Sequence, residues 1–223
     1  MVEQLDLSAE AMMKLVNVDA GQWRKMPSDE TVSKTIEAIK NRGITVFLVE
    51  GKQQALAKIK ELIPPAAEVS NGSSTTLIEI GFVDYFTNGN HGWKNFKAGI
   101  MAETDKAKQS DLVRRSLTAD YFLASVNAIA ETGELVATDQ GGARVGAFPY
   151  AAKNLILVSG VNKIVPTLQD ALARIADFAL PLENERAKKA YGFQSSLGKT
   201  VIIHKEVNPG RITLILVKEK LGF

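Results

Sequence analysis

The chain has 223 residues, 45% of them hydrophobic, which is enough to bury a sizeable core within one large domain. Its 27 basic and 25 acidic residues leave a net charge of +2 and are interleaved along the chain, which argues against strong non-specific binding to nucleic acid. Because the sequence contains no cysteine, disulfides, thiolate-bound metal sites and cysteine nucleophiles are excluded.

No targeting segment is recognisable at the start of the sequence. Residues 1–6 lack the basic start and the apolar run of a secretory signal. The internal apolar runs at residues 44–49, 155–158 and 212–217 are too short to cross a bilayer as helices. We therefore expect a cytoplasmic chain without a membrane span.

The first part of the chain alternates helical and strand patterns. An apolar stripe over residues 32–39 predicts a helix, and the β-branched run at residues 44–49 predicts the strand that follows it. A second amphipathic helix over residues 55–63 is closed by two prolines, after which residues 68–70 predict a brief strand.

The remaining elements follow a similar alternation after one irregular segment. Residues 84–109 have turn residues and no clean periodicity, so they are interpreted as a loop or lid. Further strands are predicted at residues 121–126, 134–139 and 154–158, and an amphipathic helix at residues 168–179. Near the end, the spacing of residues 200–204 and 211–217 favours an antiparallel hairpin or neighbouring strands.

These elements predict an α/β fold with a mostly parallel sheet flanked by helices and a terminal antiparallel element. Residues 27–223 are predicted to form this α/β domain, and residues 1–26 a helical extension before it.

A hydroxyl-rich loop after the strand at residues 68–70 is the first candidate binding site. Gly72 permits a tight turn, and Ser73, Ser74 and Thr75 place hydroxyls at the predicted start of a helix, where unpaired N–H groups favour an anion. Ligand sites in open α/β sheets lie at the carboxyl ends of strands, as this loop does. The alternative is an ordinary capped turn without a ligand.

Later polar segments supply further candidates for the same site. Asn127 orients a ligand or caps a turn, and Glu131 is the best candidate acid, base or nucleophile, with the alternative that it holds backbone N–H groups. Asp139 and Arg144 flank a glycine pair, and Arg144 either contacts an anion or pairs with Asp139.

Asn162 and Lys163 follow the predicted strand at residues 154–158. Lys163 either supplies positive charge to a ligand or extends along a helix end. Neither histidine has a paired carboxylate or metal-ligand spacing in the sequence, so no metal site is predicted.

Several of these segments together resemble the lactate-utilisation (LUD) domain family, namely residues 72–81, 125–129, 131–135, 139–144 and 160–165. The resemblance extends over residues 32–223. It implies a fold similar to the group of glucosamine-phosphate deaminase, ribose-phosphate isomerase and CoA-transferase-like proteins, whose members handle phosphorylated sugars, CoA esters or folates. Some relatives belong to iron–sulfur-dependent lactate oxidation systems, so an iron–sulfur or other redox protein is an implied partner.

Two departures from the family pattern limit what the resemblance implies. Short members often carry a cysteine-containing segment before the last strands, whereas residues 190–198 contain none, so a cluster bound by this chain is not expected. Relatives often have an amide where Ala143 stands, which weakens the transfer of a site around Arg144. The sequence identifies no cofactor.

Three classes of function follow. The first is organic-acid (lactate) utilisation with a small anionic metabolite, or a phosphorylated or CoA-like ligand, bound at the hydroxyl-rich loop. The second is a non-catalytic subunit or ligand-sensing module of a redox complex. A nucleic-acid binder is disfavoured by the composition. The oligomeric state stays open, including a homo-oligomer.

Overall fold

The computed structural model describes residues 6–223, which form an α/β fold of helices packed around two sheets. The helices of this part of the chain are α1 (Ala9–Met13), α2 (Ala20–Trp23), α3 (Asp29–Asn41), α4 (Lys52–Leu62), α5 (Thr75–Glu79), α6 (Phe82–Asn88), α7 (Phe96–Ala102), α8 (Lys106–Ser116), α9 (Ala143–Gly146), α10 (Leu168–Arg174) and α11 (Leu180–Tyr191). One-turn π-helical segments follow α9 at Ala147–Ala151 and α10 at Ile175–Ala179.

The strands are β1 (Thr45–Val49), β2 (Glu68–Asn71), β3 (Lys94–Asn95), β4 (Tyr121–Ala124), β5 (Ala128–Ala130), β6 (Leu135–Asp139), β7 (Asn154–Gly160), β8 (Ile164–Val165), β9 (Lys199–Ile203) and β10 (Ile212–Val217). Six of them form a sheet in the order β1-β10-β7-β4-β2-β3, and its strand pairs are all parallel. The predicted fold class, a mostly parallel sheet flanked by helices, is confirmed.

The apolar side chains of β10 explain why it lies inside the large sheet, as the second strand from one edge. Ile212, Leu214 and Leu216 pack into the core on one face, whereas Ile215 and Val217 pack into the core on the other. A strand buried on both faces fits between two parallel neighbours, and β10 pairs with β1 and β7.

A second, smaller sheet has the order β8-β5-β6-β9 and mixed strand directions. β5 and β8 are parallel, whereas β6 pairs antiparallel with both β5 and β9. The terminal antiparallel element is therefore present as β9. β9 and β10 lie in different sheets, so both alternatives predicted for them, a hairpin and neighbouring strands, are wrong. β9 is buried only towards its end, which suits a sheet edge, while β10 needs cover on both faces.

The interpretation of residues 84–109 as a loop or lid is also wrong. The segment holds most of α6, all of β3 and α7, and the start of α8. These elements are short and separated by turns, so their periodicity is weak in the sequence. Side-chain caps start two of them, since Asn95 accepts a hydrogen bond from the N–H of Ala98 and Asp105 from those of Ala107 and Lys108.

The first helices pack on the end of the chain. Met12 and Trp23 join an apolar cluster with Phe178 and Phe223. The Glu79 carboxylate accepts hydrogen bonds from the N–H of Ala9 (2.9 Å) and of Gly222 (2.6 Å), which joins α1 and the tail to α5. The domain boundary after residue 26 stays a prediction. Residues 1–5 of the predicted helical extension lie outside the described part of the chain. Among the described residues, no helix combines the length and apolar character needed to cross a bilayer.

A buried ion pair fixes the turn between β9 and β10. The Glu206 carboxylate accepts hydrogen bonds from the N–H of Asn208 at 2.7 Å and from Nε of Arg211 at 2.6 Å. Arg211 also donates to the carbonyl of Phe148 at 2.9 Å. Burial raises the pKa of Glu206, but the hydrogen bonds from Asn208 and Arg211 outweigh it and leave the pKa below its ordinary value.

We expect the Ile215→Ala variant to lose about 2–5 kcal/mol of unfolding free energy, because Ile215 is fully buried and its truncation leaves a cavity in the apolar core beside the large sheet. Val207→Ala is the matched control at a site that is 75% exposed, and its change should stay within about 0.5 kcal/mol. Urea denaturation measures both values. Equal stability of the two variants would contradict the burial of Ile215 between β10 and the core.

We expect the Glu206→Gln variant to lose about 1–3 kcal/mol at neutral pH, because Arg211 keeps its charge without a carboxylate partner. A carboxyl whose pKa is lowered by folding contributes stability above its unfolded pKa, and that contribution is lost as the pH falls through the folded pKa. The variant should therefore lose less stability than the parent chain on acidification. The measurement is urea denaturation over a pH series, with the exposed Glu30→Gln as control. An identical acid slope in variant and parent would count against this role of Glu206.

Candidate functional site

Loops from both sheets meet around one cavity of about 340 Å³. Gly72, Ser73, Ser74 and Thr75 line it after β2, and Asn127 lines it after β4. Asp139 and Arg144, around the end of β6, and Lys163, after β7, complete the set of sequence-predicted residues in its wall. The structure thus brings together eight of the ten residues singled out above.

The three hydroxyl side chains of residues 73–75 are in different environments at the wall of this cavity. Ser74 caps α5, since its Oγ accepts a hydrogen bond from the N–H of Leu77 at 3.2 Å. Ser73 is exposed, and its Oγ lies 3.4 Å from the hydroxyl of Tyr191. Thr75 Oγ1 is buried and has no hydrogen-bond partner among the described residues. Because α5 has only five residues, its dipole adds little, and the side chains of the wall carry the electrostatics.

Gly72 is required by the close approach of Arg144. A Cβ atom on Gly72 would lie 2.5 Å from Cγ of Arg144, which is closer than carbon atoms can pack. The backbone N–H of Gly72 donates to the carbonyl of Leu123 at 2.9 Å, so the loop stays joined to β4. Gly72 therefore lets the arginine stem lie against the loop.

Arg144 holds the ends of β4 and β6 through oxygens that carry no formal charge. Its guanidinium donates to the carbonyl of Ser125 at 2.9 Å, to the carbonyl of Thr138 and to Oδ1 of Asn127 at 3.4 Å. Asp139 accepts the backbone N–H of Arg144 at 2.9 Å and forms no ion pair with its guanidinium. Burial lowers the pKa of Arg144, and Asp139 acts against that shift.

Lys163 lies fully buried at the base of the cavity. Its Nζ is 3.0 Å from Oγ1 of Thr76, 3.1 Å from Oγ of Ser125 and 2.9 Å from the carbonyl oxygen of Val126. Burial lowers the pKa of Lys163 well below its ordinary value, and the nearby guanidinium of Arg174 lowers it further. The side chain is therefore enclosed by neutral oxygens and does not extend along a helix end.

Three charged residues of the cavity wall that the sequence did not single out lie on α7 and α11. Lys97 lines the cavity, and burial lowers its pKa. Arg186 is paired with Glu183 through contacts of 2.7 and 2.6 Å, which raise the pKa of Arg186 although burial acts in the opposite direction. The i,i+3 spacing of Glu183 and Arg186 was visible in the sequence, but nothing in it indicated that this pair faces a site.

Tyr191 and Phe193 also line the cavity, and each is more than half exposed. Their rings stack with centroids 5.9 Å apart. Burial raises the pKa of Tyr191, but the hydrogen bond with Ser73 and the nearby Arg186 outweigh it and leave the pKa below its ordinary value. The aromatic pair therefore forms an exposed, polarised part of the cavity wall.

Two predicted site residues lie outside the cavity lining. Glu131 is exposed in the turn between β5 and β6, where its backbone N–H donates to the carbonyl of Val165. Asn162 is buried, and its Oδ1 accepts the N–H of Leu221 at 2.9 Å. Neither position gives support to a ligand contact. Asn127 lines the cavity, but its Oδ1 also accepts the N–H of Thr138 at 3.0 Å, so it fixes the adjoining strand.

The cavity wall has more cationic than acidic side chains. Lys97, Arg144, Lys163 and Arg186 are the cations, and the acids among the described lining residues are Asp139 and Glu183. Glu183 is held by Arg186, and Asp139 by a backbone N–H. Residues 6–223 contain no group of three or more histidine, aspartate or glutamate side chains placed to hold a metal ion.

Comparisons with known proteins place this fold in a family. A search of curated proteins found no match. Among solved structures, the chain is similar to the crystal structure of a DUF162 family protein from Deinococcus radiodurans, with a TM-score of 0.51 at 14% sequence identity, over 86% of this chain and 99% of that one. At this identity the likeness concerns the fold. The family model described as the LUD domain matches residues 32–217, which is most of the sequence, and the chain therefore belongs to the LUD domain family.

Proposed function

We propose that this LUD domain binds a small anionic metabolite in the cavity between its two sheets, and that it acts in the utilisation of organic acids such as lactate. The observation that carries the proposal is the excess of cationic side chains in the wall, where both acidic side chains are already engaged. The excess persists when Lys163 is counted as neutral, since three cations then face two acids.

The charge of Arg144 supports an anionic ligand most directly. No carboxylate forms an ion pair with Arg144 or Lys97 among residues 6–223. A guanidinium stays charged even when partly buried, and removing it from water is costly unless charge or hydrogen bonds compensate it. Hydrogen bonds to Ser125, Thr138 and Asn127 already compensate Arg144 in part, but they leave its charge unpaired, and a bound carboxylate or phosphate group would pair it.

Neutral donors in the wall complement these charges. Ser73 presents an exposed hydroxyl, and Thr75 presents a buried hydroxyl without a partner in the described structure. Hydrogen bonds to an ionised acceptor are stronger than neutral ones, so such hydroxyls favour an anion. The volume of about 340 Å³ lies at the lower end of the usual range for small-molecule sites, which suits a compact metabolite or the anionic head of a phosphorylated or CoA-like ligand.

The organic-acid role joins this chemistry to the family. Lactate is a small carboxylate with a hydroxyl group, and both groups can accept hydrogen bonds from the wall. We include lactate and inorganic phosphate as probes, because they separate a carboxylate preference from a phosphate preference.

We expect Lys97→Gln to weaken binding of the preferred probe by about tenfold, because one charge-assisted hydrogen bond contributes roughly 1.5 kcal/mol. Isothermal titration calorimetry of the purified chain with lactate and with inorganic phosphate measures this change. Lys34→Gln is the matched control, since Lys34 lies exposed on α3 and pairs with Glu30. Its affinity should equal that of the parent chain.

The same titrations at two ionic strengths test the charge argument. Added salt should weaken binding, since it screens charges and its anions compete for the site. If neither probe binds at millimolar concentration, or if Lys34→Gln weakens binding as much as Lys97→Gln does, the proposed anion site is wrong.

A further inference from the structure

Lys163 is a buried amine at a cavity wall without a carboxylate partner. It is about 1% exposed, and it forms no ion pair among the described residues. Lysine is almost never fully buried unless it is paired, because the ammonium loses its hydration. This environment favours the neutral amine.

The three oxygens around Nζ can serve either protonation state. The carbonyl oxygen of Val126 only accepts, whereas the hydroxyls of Thr76 and Ser125 can donate or accept. An ammonium would donate to all three oxygens. A neutral amine donates to two of them and keeps a lone pair.

The lone pair of Lys163 need not be occupied by a hydroxyl proton. Ser125 Oγ has two other acceptors, Oγ1 of Thr76 at 3.2 Å and the carbonyl oxygen of Val126 at 3.1 Å. When Ser125 donates to either one, it does not donate to the lysine. The Ser125 hydroxyl is therefore able both to release the lone pair and to exchange a proton with Nζ.

Neighbouring cations add to the effect of burial. Arg174 and Arg144 both lower the pKa of Lys163, and Glu79 acts in the opposite direction. Arg174 is itself fully buried and donates to the carbonyls of Trp23 and Asn127. A positive charge at Nζ of Lys163 is thus opposed by guanidinium charges that the fold holds in place.

We propose that Nζ of Lys163 is a nucleophile that forms an imine with the carbonyl carbon of an anionic oxo compound, an aldehyde or ketone carrying a carboxylate or phosphate group. The inference rests on the proposed anion site, which would hold the charged group near Arg144 and Lys97 while the carbonyl faces Lys163. A lysine with a lowered pKa, next to proton-exchanging hydroxyls and at the wall of a cavity, fits this chemistry.

The step balances without an oxidant or a reductant. The nitrogen lone pair attacks the carbonyl carbon, and the π electrons move to oxygen, which takes the proton released by nitrogen to give a carbinolamine. The nitrogen then releases its second proton and the hydroxyl oxygen gains one, so that the carbon–oxygen bond breaks, water leaves and a carbon–nitrogen double bond forms. Ser125 and Thr76 are placed to transfer the protons.

Reductive trapping tests the proposal on the unmodified chain. The protein is incubated with cyanoborohydride and pyruvate, or with glycolaldehyde phosphate, and the modified peptides are identified by mass spectrometry. We expect saturable labelling at Lys163 by pyruvate, by glycolaldehyde phosphate or by both. Labelling by pyruvate alone indicates a carboxylate preference, and labelling by glycolaldehyde phosphate alone indicates a phosphate preference. Labelling at Lys34 and Lys153, which are exposed and lie outside the cavity lining, should be at least about tenfold slower and should not saturate.

Two variants test the role of the surroundings. Lys163→Met should abolish the label on the peptide that contains residue 163. Ser125→Ala keeps the amine of Lys163 and should slow its labelling by about tenfold or more. The rate at Lys163 should also change little with pH near neutrality, because burial lowers the pKa of this lysine, and a merely structural lysine would not show this. Circular dichroism checks that each variant is folded.

The outcomes separate the two proposals. If calorimetry detects lactate or phosphate binding but neither carbonyl compound labels Lys163, the imine proposal is overturned and the anion site stands. If neutral acetaldehyde labels Lys163 as fast as pyruvate and glycolaldehyde phosphate do, and lactate and phosphate do not compete, the anion site is overturned while the reactive amine is supported. Labelling of Lys34 and Lys163 at equal rates overturns the reactive amine.

Discussion

The cavity depends on Arg144 and Lys163, whose side-chain hydrogen bonds go to oxygens without formal charge. Arg144 donates to the carbonyls of Ser125 and Thr138, and these hydrogen bonds link the large sheet to the small one. Lys163 links Thr76 to the segment after β4. Neutral acceptors position a cation without cancelling its charge, in contrast to a carboxylate. The interactions that fix the loops around the cavity therefore also leave the charge of Arg144 unpaired at its wall.

The sequence is sufficient to predict the parallel sheet and its helices, because apolar runs and amphipathic stripes are local signals. It is not sufficient to predict the partners of β9 and β10. The short connection between them fits a hairpin, and only the burial of both faces of β10 places it between β1 and β7. The helices within residues 84–109 were missed for a related reason, since each is too short for its period to stand out.

The lining of the cavity was predictable where it follows from strand ends and not where it depends on side-chain direction, whereas a ligand site there stays a prediction. Gly72 and Lys163 follow β2 and β7 of the parallel sheet, so their common location follows from topology. Asn162 precedes Lys163 in a tight turn, yet its amide contacts the tail, because successive side chains of such a turn point different ways. Lys97 and Arg186 lie on helices remote in sequence, and no local pattern indicates that they face the same cavity.

A reactive amine and an anion site place opposing demands on one cavity. A negative group next to Nζ of Lys163 would favour the ammonium and raise the pKa of the lysine, which removes the nucleophile. Arg144 and Lys97 resolve the conflict if they hold the negative group, because their charges then offset its effect on Lys163, whose pKa Arg144 itself lowers. An oxo acid or a phosphorylated aldehyde carries its charge and its carbonyl on different atoms. Such a ligand can occupy both ends of the site, with its charge compensated at one end and its carbonyl carbon presented at the other.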